Sequence, residues 1–304
     1  MFTEKRIVFL YVETPLHVGA GRGAGAVDLP IQRERVTGYP MVQAAGLKGC
    51  LRAAYRDENK LSDEDEKVKA LFGQAGDKGD NYAGAIVPGD ARILLLPVRS
   101  LAGVFAWATS CHALASFQRA TRLAAQEVKW TIPVSPSKEN ALVCKPNDLQ
   151  IDQNIVLEEF SFTAKDSVQV NEIAKWLKEN ALPALPEYSY WKESISKRLC
   201  ILSEDAFRDF CLYATEVQTH VNLDPKKKTV KKGALWTTES LPTDSLLYAP
   251  LMASPVRNGK DVREASAVLN EFDTLNLTHL QLGGDETTGQ GWVATRFYPG
   301  LKKA

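Results

Sequence analysis

Cysteine is sparse and unpaired in this chain. The five thiols, Cys50, Cys111, Cys144, Cys200 and Cys211, fall in no CxxC or Cys/His ligand spacing. That pattern signals neither a disulfide framework nor a zinc site and points to reduced thiols in a cytoplasmic protein. No apolar run approaches the length of a membrane span; the N-terminal MFTEKRIVFLYVE also lacks a small-residue cleavage site, so neither a membrane partner nor secretion is expected. Net charge is missing as well. Lysine plus arginine and aspartate plus glutamate number 37 each, so there is no global basic field, and any polyanion site must be local. What is present is enough apolar material, 44% of 304 residues, to bury one large core or two smaller ones.

Residues 6 to 18 are rich in Val, Ile, Phe and Tyr and run into a glycine cluster, the pattern of a buried strand leading to a loop. A short extended piece, VDLPIQRERVTGYP, follows. In QAAGLKGCLRAAYRDE, Leu47, Leu51, Ala54 and Tyr55 share one helical face. The acidic DENKLSDEDEKVKALFG has the character of a solvated helix or insertion and receives no chemistry. AGAIVPGDARILLLPVRS holds a turn at PGD between two apolar runs, which predicts paired strands, and SCHALASFQRATRLAAQ predicts a helix. Residues 131–213 are expected to form an inserted helical or irregular subdomain. Near the C-terminus REASAVLNEFDTL predicts a helix, and THLQLGG and GWVATRFYP two strands. Strands split by helices make the expected fold class α+β.

Four segments are candidates for chemistry. GAGRGAGAVDLP, residues 19–30, puts glycines and a lone carboxylate, Asp28, after the first strand. It lacks the G-K-[ST] of a P-loop and the later acidic residue of a dinucleotide fold, which leaves a catalytic loop or a plain turn. The segment 37–52 places Gly46, Lys48 and Arg52 at a helix N-terminus, suited to phosphate or merely solvated. VQTHVNLDPKKKTVKKGALWTTESLP, residues 217–242, has two strand-like arms around a turn and five lysines, Lys226, Lys227, Lys228, Lys231 and Lys232. Such a basic hairpin fits contact with a nucleic-acid backbone, with Trp236 or aliphatic side chains to stack or wedge between bases. The alternative is a solvated lysine edge. Finally LGGDETTGQG, residues 282–291, offers Gly283, Gly284, Thr287, Thr288 and Gly289 in a loop whose backbone can approach a phosphate closely. His17, at the end of the first apolar run, is either a general acid or base or a hydrogen-bonded structural histidine.

Taken in order, PLHVGAG, VDLPIQRE, TGYP, GLKGCLR, GALWTTESLP and GGDETTGQG closely resemble the RAMP superfamily, and most of all the backbone subunit of type III-B (Cmr) CRISPR effector complexes. The chain departs from that pattern at Ala45 and Gly46, where serines are common, and at Gln290, where an arginine often stands.

The resemblance implies a ferredoxin-like (RRM-like) palm in residues 1–130, with an insertion near 57–82, completed by 246–304 and interrupted by 131–213. Residues 214–245 would be a projecting β-hairpin thumb. It also implies a filament of copies that holds guide RNA (crRNA) beside other Cmr-type subunits. In that setting Lys48, Arg52 and the terminal loop grip the guide, and the thumb displaces a base pair at every sixth nucleotide. Asp28 then lies at the distorted target strand, which is cleaved in a reaction dependent on Mg2+ or Mn2+ held by Asp28. His17 and Glu239 are secondary catalytic candidates. Two rival expectations are a non-catalytic RNA-binding scaffold and a metal-independent, guide-processing ribonuclease acting through His17.

Overall fold

A computed structural model describes residues 2–23, 25–74, 83–257, 262–275 and 277–299. The first strand, Glu4–Val12, contains six consecutive buried residues, Ile7 to Val12. Such a run needs apolar cover on both faces of the sheet, because successive side chains point to opposite sides. Val8, Leu10 and Val12 join one core with Leu47, Leu51 and Tyr55 of the helix Ala44–Glu58 and with Phe272 of the helix Ala265–Thr274. Ile7, Phe9 and Tyr11 join the other, with Phe117 of the helix Cys111–Leu123 and with Trp130 and partly buried Trp176.

The first strand pairs antiparallel with Leu246–Ala253 on one side and with Trp292–Tyr298 on the other. Ala91–Arg99 lies antiparallel on the far side of Leu246–Ala253. Along the chain this unit reads strand, helix, strand, strand, helix, strand, and its four strands stand side by side in the order last, first, third, second. His279–Gln281 extends the sheet beyond Trp292–Tyr298.

Two expectations are corrected here. The PGD turn does not join a pair of neighbouring strands: Ile86–Pro88 and Ala91–Arg99 lie one after the other along the same partner, Leu246–Ala253. Residues 131–213 are not only helical or irregular. They hold five strands that continue the main sheet: Leu199–Leu202 lies parallel to Phe105–Ser110, followed by Asn140–Val143, Phe160–Asp166, Asn154–Leu157 and Gln150–Ile151. Three of these have four residues, too few for the two-residue period to stand out.

Glu216–Leu223 and Val230–Ser240 pair with each other as a two-stranded hairpin apart from the main sheet. The Asp224 carboxylate closes the turn by accepting the N–H groups of Lys226 and Lys227, at 2.8 and 2.9 Å. Val221, Leu223, Val230 and Leu235 are exposed along its outer part.

Candidate active site

The glycine-rich loop leaves the first strand and returns to lie along the base of the hairpin. The Leu29 N–H donates to the Thr237 carbonyl and the Glu239 N–H to the Leu29 carbonyl, both at 3.0 Å, which lays the returning segment parallel to the hairpin strand. This lattice places Asp28 against Thr237. The Thr237 N–H and hydroxyl donate to Asp28 Oδ2 at 2.8 and 3.0 Å, and the Asp28 N–H donates back to the threonine oxygen at 3.0 Å. Asp28 is exposed, and among the described residues its Oδ1 has no protein partner. The two Thr237 donors, helped by nearby Arg22, hold the carboxyl below the usual aspartate range.

Beneath Asp28 lies a buried anchor. Glu239 is 5% exposed. Its Oε1 accepts from the Arg33 guanidinium and from the Thr215 hydroxyl, and its Oε2 from the Ile31 N–H at 3.0 Å. Arg33 donates further to the carbonyls of Gly38 and Cys211, at 2.9 and 2.7 Å. Glu239, a secondary catalytic candidate from the sequence, is therefore spent on holding the loop to the hairpin. A buried charge this fully hydrogen-bonded is a structural fixture.

His17 ties three segments together. Its Nδ1 donates to the Glu239 carbonyl at 2.6 Å, and its own carbonyl accepts the Gly284 N–H at 2.9 Å. At Gly283, φ is +78°, and a Cβ there would sit 2.2 Å from the His17 carbonyl oxygen, so only glycine lets the terminal loop approach this closely. In the same loop Gly284, Thr287, Thr288 and Gly289 are exposed, and Thr288 donates to the Asp285 carbonyl at 2.8 Å. Gln290 reaches Gln218 of the hairpin at 3.3 Å.

The helix Ala44–Glu58 comes near the terminal loop at Cys50; burial pushes that thiol up while the neighbouring Gly283 backbone opposes the shift. Gly46 is exposed beside this junction. Lys48 is half-buried, and among the described residues it has no carboxylate within salt-bridge distance; burial and neighbouring Arg52 both lower its pKa. Arg52 differs. Its guanidinium is paired with the Asp63 carboxylate at 3.0 Å and with the carbonyls of Gly73 and Asp63, which leaves it little to offer a phosphate. At the helix start the Ala44 N–H is already taken by Asp90 at 2.8 Å.

At the hairpin tip Lys226, Lys227, Lys228 and Lys231 are exposed, and among the described residues none has an acidic side chain within ion-pair range. The side chain of Lys232 lies outside the described residues. Trp236 is half-buried, stacked on His220 with ring centroids 5.4 Å apart and planes at 13°, so one of its faces is covered. Leu235, 61% exposed, is the more open of the two.

Thr237, Arg33 and Arg22 were not singled out from the sequence. Thr237 and Asp28 are 209 positions apart, and no local spacing links them. Among the described residues no group of three or more His, Cys, Asp or Glu could jointly hold a metal ion. A single carboxylate with one free oxygen suits a divalent ion that keeps most of its ligands as water and phosphate, as magnesium commonly does. No described helix is long and apolar enough to cross a membrane.

A family model for the RAMP superfamily matches residues 9–294. The CRISPR system Cmr endoribonuclease Cmr4 of Pyrococcus furiosus is 34% identical, over 94% of this chain and 93% of that protein. The solved structure of oligomeric Cmr4 from Pyrococcus furiosus superposes with a TM-score of 0.73 at 28% identity, covering 97% of this chain and 98% of that one. A chain of a type III-B Cmr-beta complex bound to cognate target RNA has the same fold, with a TM-score of 0.73 at 19% identity over 97% of this chain and 98% of that one.

Proposed function

The chain belongs to the RAMP superfamily, and from that premise we propose that it is the backbone subunit of a type III-B CRISPR complex that cleaves target RNA at Asp28. The observation that carries this reading is the Asp28 site: an exposed carboxylate, oriented by Thr237 on one oxygen and free on the other, at the foot of a basic hairpin. The similar Pyrococcus protein is named an endoribonuclease, and a protein of the same fold is described in a complex with target RNA.

In this reading the four antiparallel strands with their two crossover helices are a ferredoxin-like palm, supported by the strand order last, first, third, second. The hairpin is a thumb. Copies of the chain form a filament on guide RNA together with other subunits of a Cmr-type complex, in keeping with the name of the oligomeric relative. Each copy cuts once, which gives cleavage at the six-nucleotide intervals that the family resemblance implies. Lys48, the backbone of Gly46 and the terminal loop residues Gly283, Gly284, Thr287, Thr288 and Gly289 hold guide phosphates. Lys226, Lys227 and Lys228 hold backbone at the thumb, where Leu235 or Trp236 displaces a base.

The chemistry follows from positioning. The 2′-oxygen of the target bonds to the adjacent phosphorus while the bond from phosphorus to the 5′-oxygen breaks. The 2′-hydroxyl proton leaves and the 5′-oxygen gains one, giving a 2′,3′-cyclic phosphate and a 5′-hydroxyl. The attack needs an in-line arrangement that stacked A-form RNA disfavours, and turning one nucleotide out of the stack supplies it. The hydrogen bonds from Thr237 make Asp28 a weaker base than an ordinary aspartate, so its part is to orient the 2′-hydroxyl or to hold Mg2+ or Mn2+ through its free oxygen. A bound divalent ion would stabilise charge developing on the phosphate.

The assembled complex with magnesium or manganese is expected to cut a guide-complementary RNA into an evenly spaced ladder that vanishes in chelator. An undiminished ladder in chelator would contradict the metal assignment. Changing Lys226, Lys227 and Lys228 together to alanine should weaken RNA binding and lower the slope of log affinity against log salt by about 2–3, measured by titration at several salt concentrations. An unchanged slope would remove the tip from the RNA.

A further inference from the structure

Between the glycine-rich loop and the foot of the hairpin lies a cleft of about 380 Å³, walled in part by Val27, Pro30, Leu212, Tyr213 and Val217. Its volume falls in the range of roughly 300–1,000 Å³ typical of ligand clefts. The charged groups at its floor are already spent, Glu239 on Arg33, Thr215 and Ile31, and Arg33 on Glu239 and two carbonyls. What it offers a ligand is apolar surface and one aromatic ring. Tyr213 ends the helix Glu204–Tyr213, is 81% exposed and, among the described residues, stacks on no other ring.

The hairpin register places this cleft relative to Asp28. Val217 pairs with Glu239, and Thr219 with Thr237, the residue that holds Asp28. These are successive cross-strand pairs on one face, two residues or about 7 Å apart. On the other side of Tyr213 a larger groove is rimmed by Glu158, Glu159, Asp205 and Asp209. Lys138 also lines that groove and pairs with Asp205, while Glu158 and Asp209 pair with Arg99 and Arg208, so its charges are largely balanced.

We propose that this cleft receives a nucleobase turned out of the RNA strand whose backbone lies at Asp28, with Tyr213 as the surface on which it stacks. The inference rests on the functional reading above and adds the place where the displaced base goes. An apolar slot with an aromatic wall and no unspent charged group binds the flat face that every base has. It reads no base identity, so cleavage is indifferent to the base at the displaced position.

The test uses the assembled complex with an RNA target carrying 2-aminopurine at the nucleotide beside the scissile bond, in an Asp28→Ala background so that the target stays whole. Tyr213→Ala is expected to brighten the probe severalfold, because it loses its stacking partner, whereas Tyr213→Phe leaves it quenched. With Asp28 intact, Tyr213→Ala should slow cleavage of unlabelled target about tenfold and Tyr213→Phe should restore it. Targets with each of the four bases at that position should cleave within about threefold of one another. Equal probe brightness in all three complexes would overturn the proposal, as would impaired assembly with unchanged cleavage per complex, which would place Tyr213 at a protein contact. A complex with Asp28 and Tyr213 both intact that makes no ladder overturns the functional reading itself, an outcome distinct from failure of the base site alone.

Discussion

Replacing Asp28 with alanine is expected to abolish target cleavage by the assembled complex, a loss on the order of a thousandfold, while guide and target binding stay within about twofold. The side chain is exposed and packs into no core, so its removal leaves the fold intact. Its backbone N–H keeps the Thr237 hydroxyl, and Leu29 keeps its hydrogen bonds to the hairpin, so the loop stays in place. The pH dependence carries a sign. Thr237 favours the ionised form and holds the carboxyl below its usual range. The charge is therefore present at neutral and mildly acid pH, and it is lost only as pH falls through a midpoint below that of an ordinary aspartate. An acid limb of cleavage near pH 6 would have to arise elsewhere. Single-turnover rates across pH, with binding measured in parallel, check both statements.

The second large effect is on stability. Glu239→Ala leaves the Arg33 guanidinium without its anion and the Ile31 N–H and Thr215 hydroxyl without their acceptor. Removing one partner of a buried pair costs about 3–5 kcal/mol. That corresponds to a fall in melting temperature of about 6–10 °C for a chain of this size. The double change Arg33→Met with Glu239→Leu removes both charges and is expected to recover most of the stability, because apolar replacement of a buried pair is commonly neutral or better. Cleavage in the double variant is expected to be reduced but not abolished, since the Ile31 N–H loses its acceptor while the Leu29 hydrogen bonds to the hairpin remain. Calorimetry and cleavage assays on the same preparations separate the two effects. An unchanged melting temperature in Glu239→Ala would show that the pair is not the anchor described here.

The candidate site was legible in the sequence where chemistry and position are local. Asp28 is the lone carboxylate of a glycine-rich loop after a strand, and the tip lysines flank a turn closed by Asp224. The same reading missed what depends on distant pairing. Thr237 orients Asp28 from 209 positions away, and Arg33 meets Glu239 from 206. Glu239 alone looks like a second acid, and only its burial and its three donors reveal an anchor. Arg52 carries the same lesson in reverse: as a basic residue one turn on from Lys48 it looks free for phosphate, yet Asp63, 11 positions on, folds back to pair with it.

The fold divides in the same way. The long first strand and the amphipathic helix after it declare themselves through six buried residues in a row and through Leu47, Leu51 and Tyr55 on one face. The strands inside 131–213 do not, because runs such as NALV and LCIL are too short to separate from buried helix or loop by pattern, and their partners lie far along the chain. The PGD turn misled for a related reason. A tight turn between apolar runs predicts a hairpin, but here Leu246–Ala253, more than 145 positions later, captures both runs.

The most direct test of Asp28 as the cutting site is cleavage by complexes assembled from mixtures of unaltered and Asp28→Ala chains. If each copy cuts the target at its own place, every band of the ladder loses intensity in proportion to the fraction of altered chains, while the spacing of the bands and the amount of bound RNA stay the same. A ladder of full intensity at every mixing ratio would place the cutting residue outside this chain or away from Asp28 and contradict the account.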